Sequence, residues 1–422
     1  MSDQHYLRRI VALGEHCPVV TQRPITSERG IKLVDSGVRI SDALYDKLVR
    51  HKLRPELDEC LTVDNAVTPA SLVGAVRDLL GTSDVRHLLG EAVDGERLLA
   101  VFAGLPLDPV LAFKLTVARE EVPALYRHSL EVAVCAVILA MHQERADPVA
   151  WREAAAAGLF HDLGLLHIDP LLLDGAHALN EAESHHIYSH PVIGHVMLSR
   201  FPAWHPVVSS AILEHHERLD ASGYPRGLDS SELSPLGQLL AVAELAAALF
   251  SQAHLLPLAD YLNIVLALNK GKLNPDICAL LARLVRQYPA GAAQPGGDEP
   301  SYAAVLGELV SISTSIESWH AMLPHFGAQP MVDLISQRLE RLAHNLADVG
   351  IDLQFWAMVD AALPDDPAAL RELQAGVREG HWQLRAIAHE VHRKWAVLEP
   401  ASSAIKTDIL AWLERIEPGP AD

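Results

Sequence analysis

The chain is short of cysteine, of positive charge and of long apolar runs. Four cysteines stand in 422 residues, Cys17, Cys60, Cys135 and Cys278, with no Cys-x-x-Cys pair. That scatter makes neither a zinc ribbon nor a disulfide framework, and it fits a reducing compartment. Lys and Arg number 34 against 54 Asp and Glu, a formal net charge of -20. No basic surplus is left for a phosphate backbone, which argues against a nucleic acid polymer or an anionic membrane as partner. The first residues, MSDQHYLRRIVALGEH, lack the apolar core of a secretion signal. The longest apolar runs, near Val132–Met141 and Leu239–Phe250, read as too short or too interrupted to span a bilayer. A cytoplasmic protein without a membrane partner is therefore expected. What the chain does have is apolar residues, half of the total, which is ample for packed cores.

Read in order, the sequence predicts a mainly α protein of three parts joined by one linker. Residues 1–81 form a small α+β module. In it, short β-type pieces flank the turn Asp35-Ser36-Gly37, and Ser41 stands as N-cap to a helix over DALYDKLVRHKL, with Leu44, Leu48 and Leu53 as its apolar face. A second apolar piece follows at Leu61–Val63. Residues 82–286 read as helix after helix, with apolar residues three and four apart and no β pattern of comparable strength. Asp147-Pro148 opens one of these helices, and Gly164 marks where it should end. Residues 287–300 are rich in Pro, Gly and Ala and read as a linker. Residues 301–422 predict a C-terminal helical bundle or dimerisation module, with Val332, Ile335, Leu339, Leu342 and Leu346 on one stripe closed by Gly350.

The chemistry concentrates between Ala155 and Gly227. His161-Asp162 ends an apolar helical pattern, His190 opens a His-Pro helix start, and His215-His216 ends another apolar segment. His128 sits on the preceding amphipathic stretch. Imidazoles and carboxylates are donors for divalent first-row metals, and facing helices are where such sites are built. Asp162 has two oxygens with spare lone pairs and can serve two ions. A pair of ions so held activates water and clamps a phosphate oxygen.

HDLG, then HPVIG, then HHERLDASGYPRGL, in that order, resemble the HD-GYP subgroup of the HD-superfamily metal-dependent phosphohydrolases over about Ala124–Leu249. The N-terminal module also resembles the small domain that often precedes such domains. The resemblance implies an all-α HD-type central domain and hydrolysis of cyclic di-GMP. It implies a dinuclear site in which His128, His161 and Asp162 hold one ion and Asp162, His190, His215 and His216 hold the other. Glu244 takes the place of a further family aspartate on the first ion. In this resemblance Asp162 would be the catalytic bridge, Tyr224 of the Gly-Tyr-Pro turn would meet the substrate, and Arg226, next along, is the nearest cation that could meet a phosphate. Two divalent ions, iron or manganese, suit this His/carboxylate set better than structural zinc.

The departures from the family pattern bear on turnover. Leu165 replaces a lysine that meets substrate phosphate, Ala124 a glutamate used by trinuclear members, Ala247 a later aspartate and Ala221 a glycine. Asp169-Pro170 reverses the usual Pro-Asp order. The leading expectation is a cyclic dinucleotide phosphodiesterase. The alternative is a weakly active or inactive domain acting as a metal- or nucleotide-binding signalling scaffold, with signalling proteins as partners and a homodimer as a possible assembly.

Overall fold

The computed structural model describes residues 4–82, 84–89, 94–143, 147–174, 180–251, 256–287, 301–353, 367–400 and 402–416. The chain is mainly α, as expected. It packs into two units. The first comprises Met1–Glu217, Tyr224–Arg226 and Ser231–Phe250, and the second comprises Arg218–Gly223, Gly227–Ser230 and Ser251–Asp422.

The first unit opens with α1 (Gln4–His16), which buries Tyr6, Leu7, Ile10 and Leu13 on one face. Five short strands follow: β1 (Val19–Thr21), β2 (Ile25–Ser27), β3 (Lys32–Val34), β4 (Leu53–Arg54) and β5 (Leu61–Val63). They make two antiparallel sheets, β1 with β5 and β3-β2-β4. Between β3 and β4 lies α2 (Asp42–Val49), shorter than its apolar pattern suggests. Leu53 is not on that helix; it pairs with Ser27 in the three-stranded sheet. Ser41 does stand at the cap position, but its hydroxyl makes no capping hydrogen bond.

The helices of this unit are α3 (Pro69–Thr82), α4 (Gly95–Ala103), α5 (Pro109–Glu121), α6 (Pro123–His142), α7 (Pro148–Phe160), α8 (Glu181–Tyr188), α9 (His190–Leu198), α10 (Val207–Glu214) and α11 (Pro235–Ser251). Their starts follow capping chemistry. The carboxylates of Asp94, Asp108 and Asp147 each accept from the amide two residues on, and proline occupies the first turn of α5 and α7. At twenty residues, α6 is long and apolar enough to cross a membrane by length and composition, which corrects the reading of its apolar run as too short. Most of it is buried, with Val132–Leu139 fully enclosed as a core helix. α6 and α7 approach closely because Gly158 has no side chain. A Cβ there would stand 2.4 Å from the Ala133 Cα. α7 does not run to Gly164; it stops at Phe160, and a 3-10 turn over Leu163–His167 follows.

The second unit holds α12 (Leu258–Leu268), α13 (Pro275–Arg286), α14 (Tyr302–Phe326), α15 (Pro330–Asp348), α16 (Pro367–Leu398) and α17 (Ser403–Ile416). The stripe Val332, Ile335, Leu339, Leu342 and Leu346 faces its core. Trp319 and Trp412 meet there with ring centroids 5.0 Å apart, and each indole N–H finds an acceptor, Ser336 Oγ and Ser315 O. Residues 288–300, most of the expected linker, lie outside the described residues. The loop Arg218–Gly223 belongs to this unit. The Asp220 carboxylate accepts from Arg338 at 3.0 Å and Arg341 at 2.8 Å, while Lys394 donates to the Ala221 carbonyl.

Gly158→Ala is expected to lower unfolding stability by about 1–3 kcal/mol, the usual cost of forcing extra atoms into a tight contact. Chemical denaturation of the variant beside wild type measures it.

Candidate metal centre

Three helices of the first unit end at one point, and each end carries a histidine. His161 is the C-cap of α7, His215 the C-cap of α10, and His190 follows directly on the last turn of α8. The last carbonyls of a helix have no partner within it. Here the imidazoles supply one. The Nδ1–H groups of His161, His190 and His215 donate to the carbonyls of Gly158, Ile187 and Ile212 at 2.9, 2.7 and 2.6 Å. With the proton fixed on Nδ1, each ring presents its Nε2 lone pair to the interior, the arrangement in which histidine binds a metal.

Those lone pairs converge on one carboxylate. Asp162 Oδ1 lies 3.2 Å from His190 Nε2 and 3.8 Å from His215 Nε2. Asp162 Oδ2 lies 3.3 Å from His161 Nε2 and 4.0 Å from His128 Nε2. The two oxygens thus face two different histidine sets. The donor atoms fall into two groups, each mutually within 4.8 Å: Asp162 with His190, His215 and His216, and Asp162 with His128 and His161. His161, Asp162, His190 and His215 are buried, His128 and His216 partly so. Among the described residues the buried Nε2 of His161 makes no well-formed hydrogen bond, although Asp162 Oδ2 stands 3.3 Å from it. An orphaned buried nitrogen is costly, and a cation between it and the carboxylate is the natural remedy. The residues fit a metal.

Glu244, on α11, stands outside both groups; its carboxylate comes within 3.7 Å of His216 Nδ1. Tyr224 stacks on His216, centroids 4.6 Å apart at 26°, and also lies 4.6 Å from the Tyr188 ring and 6.4 Å from that of His190. Tyr188 was not singled out from the sequence; its place, two residues before His190, was its one signal. The Arg226 guanidinium donates to Glu214 at 3.3 Å, and its amide donates to Glu217 at 2.7 Å. Glu214 also went unnoticed, although it is a buried carboxylate at the end of α10 that also accepts from Ser234. Leu165 lies in the 3-10 turn, half-buried. His177 lies outside the described residues.

The family model described as an HD domain matches residues 115–255. A cyclic di-GMP phosphodiesterase of Pseudomonas aeruginosa is 31% identical over 172 residues, 40% of this chain and 41% of that protein. A 3'3'-cGAMP-specific phosphodiesterase of Vibrio cholerae is 29% identical over 217 residues, 48% of this chain and 46% of that protein. The chain thus spans less than half the length of these curated relatives. Among solved structures, an HDG"Y"P protein from Bdellovibrio bacteriovorus aligns with TM-score 0.36 and 14% identity over 64% of this chain and 94% of that one, a likeness too slight to bear on the fold. The superfamily read from HDLG, HPVIG and HHERLDASGYPRGL agrees with this match, and the matched segment carries the whole histidine cluster.

The electrostatics of the cluster are those of a cation site. Burial works against charge on His161, but the adjoining Asp162 and the nearby Glu244 outweigh it and raise its pKa to about 9. Burial and the neighbouring His161 push His128 down to about 4, against the pull of Asp162. Burial, reinforced by His161 and His190, holds His215 well below the usual histidine range. Burial opposes charge on Asp162 too, yet His161 and His190 keep it well below the usual carboxylate range. The metal-free cluster therefore holds an anionic Asp162 and one proton on His161, the proton an ion must displace. Below about pH 9, ion uptake should release a proton, and affinity should fall about tenfold per pH unit as pH drops. Titration calorimetry at pH 8 in two buffers of different ionisation heat checks this. Equal heats in both would show that His161 is already neutral.

Proposed function

We propose that the chain is a metal-dependent phosphodiesterase that opens a cyclic dinucleotide. The observation that carries this reading is the Asp162 carboxylate, with one oxygen facing His128 and His161 and the other facing His190 and His215. In this reading His128, His161 and Asp162 hold one divalent ion, and Asp162, His190, His215 and His216 hold a second. Glu244 sits next to His216 as a reserve carboxylate. The mixed imidazole and carboxylate donors suit iron or manganese. Bound there, the ions supply a water nucleophile at neutral pH and neutralise charge on the phosphodiester.

The chain's own residues do the rest. Asp162 keeps the two histidine sets in register. The carbonyls of Gly158, Ile187 and Ile212 hold the three Nδ1 protons, so the Nε2 atoms stay available as donors. Tyr224, stacked on His216, forms the wall beside the donors against which a substrate group is oriented. Water adds to phosphorus, the bond to one ribose oxygen breaks, and that oxygen takes up a proton, leaving a linear dinucleotide. The relatives named for cyclic di-GMP and for 3'3'-cGAMP support the substrate class. The four cysteines, Cys17, Cys60, Cys135 and Cys278, form no disulfide, which supports a cytoplasmic setting.

A second reading has its own observations. Leu165 stands where a phosphate-binding cation is expected, and Arg226 is occupied by Glu214. A chain that binds ions and nucleotide without turning it over, and signals through partners, is consistent with both. Incubation of manganese-loaded protein with cyclic di-GMP under reducing conditions separates the two. Linear product is expected, reduced more than about a hundred-fold in His161→Ala and Asp162→Asn, since losing even an outer partner of a ligand costs 10–100-fold. Nucleotide binding without product at any ion load would leave the scaffold reading standing. In the enzyme reading, Leu165→Lys is expected to raise turnover by roughly tenfold or more, the scale of one charged contact to a developing oxyanion.

A further inference from the structure

The turn over Leu163–His167 follows directly on Asp162 and presses on His190. The Leu165 amide donates to the Asp162 carbonyl at 2.9 Å. At Gly164 an added Cβ would stand 2.2 Å from the His190 carbonyl oxygen. One side of this turn therefore touches the backbone of two donor residues. Its far end is gripped by residues of quite different origin. His167 lies with its ring 4.6 Å from that of Tyr6 on α1. Lys114 on α5 reaches within 3.5 Å of His167 Nε2 and lies over the Tyr6 ring at 3.9 Å. Lys114 is in turn paired at 2.6 Å with Asp58, from the 3-10 turn that precedes β5. Arg9 of α1 completes the grip by donating to the Ile168 carbonyl at 3.4 Å.

This pair is an unusual fastening. Lys114 and Asp58 are both almost wholly buried, and among the described residues Asp58 Oδ1 has no hydrogen-bond partner. Buried ion pairs with unsatisfied atoms are a poor way to gain stability, and apolar side chains of the same volume generally serve better. What an ion pair adds is a fixed register between the pieces it joins. Here the joined pieces are the N-terminal module, α5 and the turn that leaves Asp162.

We propose that Asp58, Lys114 and Tyr6 are positioning residues for the metal centre, clamping the far end of the Leu163–His167 turn so that Asp162 and His190 hold their donor atoms in register. All three precede the matched HD segment, which begins at residue 115. The N-terminal module thereby completes the metal centre from behind, through the backbone of the turn. The inference rests on the metal reading above.

The test is manganese affinity, followed by calorimetry and by the electron paramagnetic resonance signal of Mn²⁺. The double variant Asp58→Leu/Lys114→Met removes both charges at once and spares the fold an unpaired buried ion. His167→Phe keeps a ring against Tyr6 and deletes the contact to Lys114. Both variants should melt within a few degrees of wild type yet bind Mn²⁺ about tenfold or more weakly, as outer partners of metal ligands do. Their bound Mn²⁺ spectra should also differ from that of wild type. Wild-type affinity and an unchanged spectrum in His167→Phe would overturn the inference, whether or not the double variant folds. Wild-type protein that takes up no Mn²⁺ would overturn the metal reading itself, a result distinct from uptake that neither variant disturbs.

Discussion

Everything in the histidine cluster depends on where one carboxylate sits. Asp162 is buried among four imidazoles, and its two oxygens look in two directions. A carboxylate and several ring nitrogens cannot be taken from water without compensation, since each uncompensated group costs several kcal/mol. Protons can compensate only in part, because one carboxylate holds one nearby imidazolium. Divalent ions compensate fully, and they do so only if the donor atoms already converge. The fold is the device that makes them converge.

It does so with helix ends. α7, α8 and α10 finish around the same small volume, and their last carbonyls hold the Nδ1 protons of His161, His190 and His215. The same carbonyls make each helix C-terminus slightly negative, which favours a cation nearby. Gly158 lets α7 lie against α6, and Gly164 lets the turn after Asp162 lie against His190. Small residues at these two places set the distance between the elements that carry the donors.

Much of this was legible in the sequence because it is local. The helix periods, the Asp-Pro starts and the stripe from Val332 to Leu346 each depend on residues within a few turns of one another. The donor residues were legible because their motifs fall in one stretch, with His128 close before it. What escaped is what joins distant parts. Leu53 looked helical beside Leu44 and Leu48, but pairing with Ser27 took it into a sheet. Asp220 closes its own turn by accepting from the Ser222 amide and hydroxyl, as its local sequence suggests, but nothing local announces that Arg338 and Arg341, more than a hundred residues away, hold its other oxygen. Arg226 donates to the buried carboxylate of Glu214, which no local pattern announced. Nor does any spacing announce that three histidines share one hydrogen-bonding scheme, because that requires three helix ends to meet.

A two-ion centre requires Asp162 to lie between two cations. Crystals grown with manganese and measured at wavelengths either side of its absorption edge test this directly. Two anomalous peaks are predicted, one on the side of Oδ1 with His190 and His215 and one on the side of Oδ2 with His128 and His161. A single peak away from the carboxylate, or none at full manganese load, would contradict it.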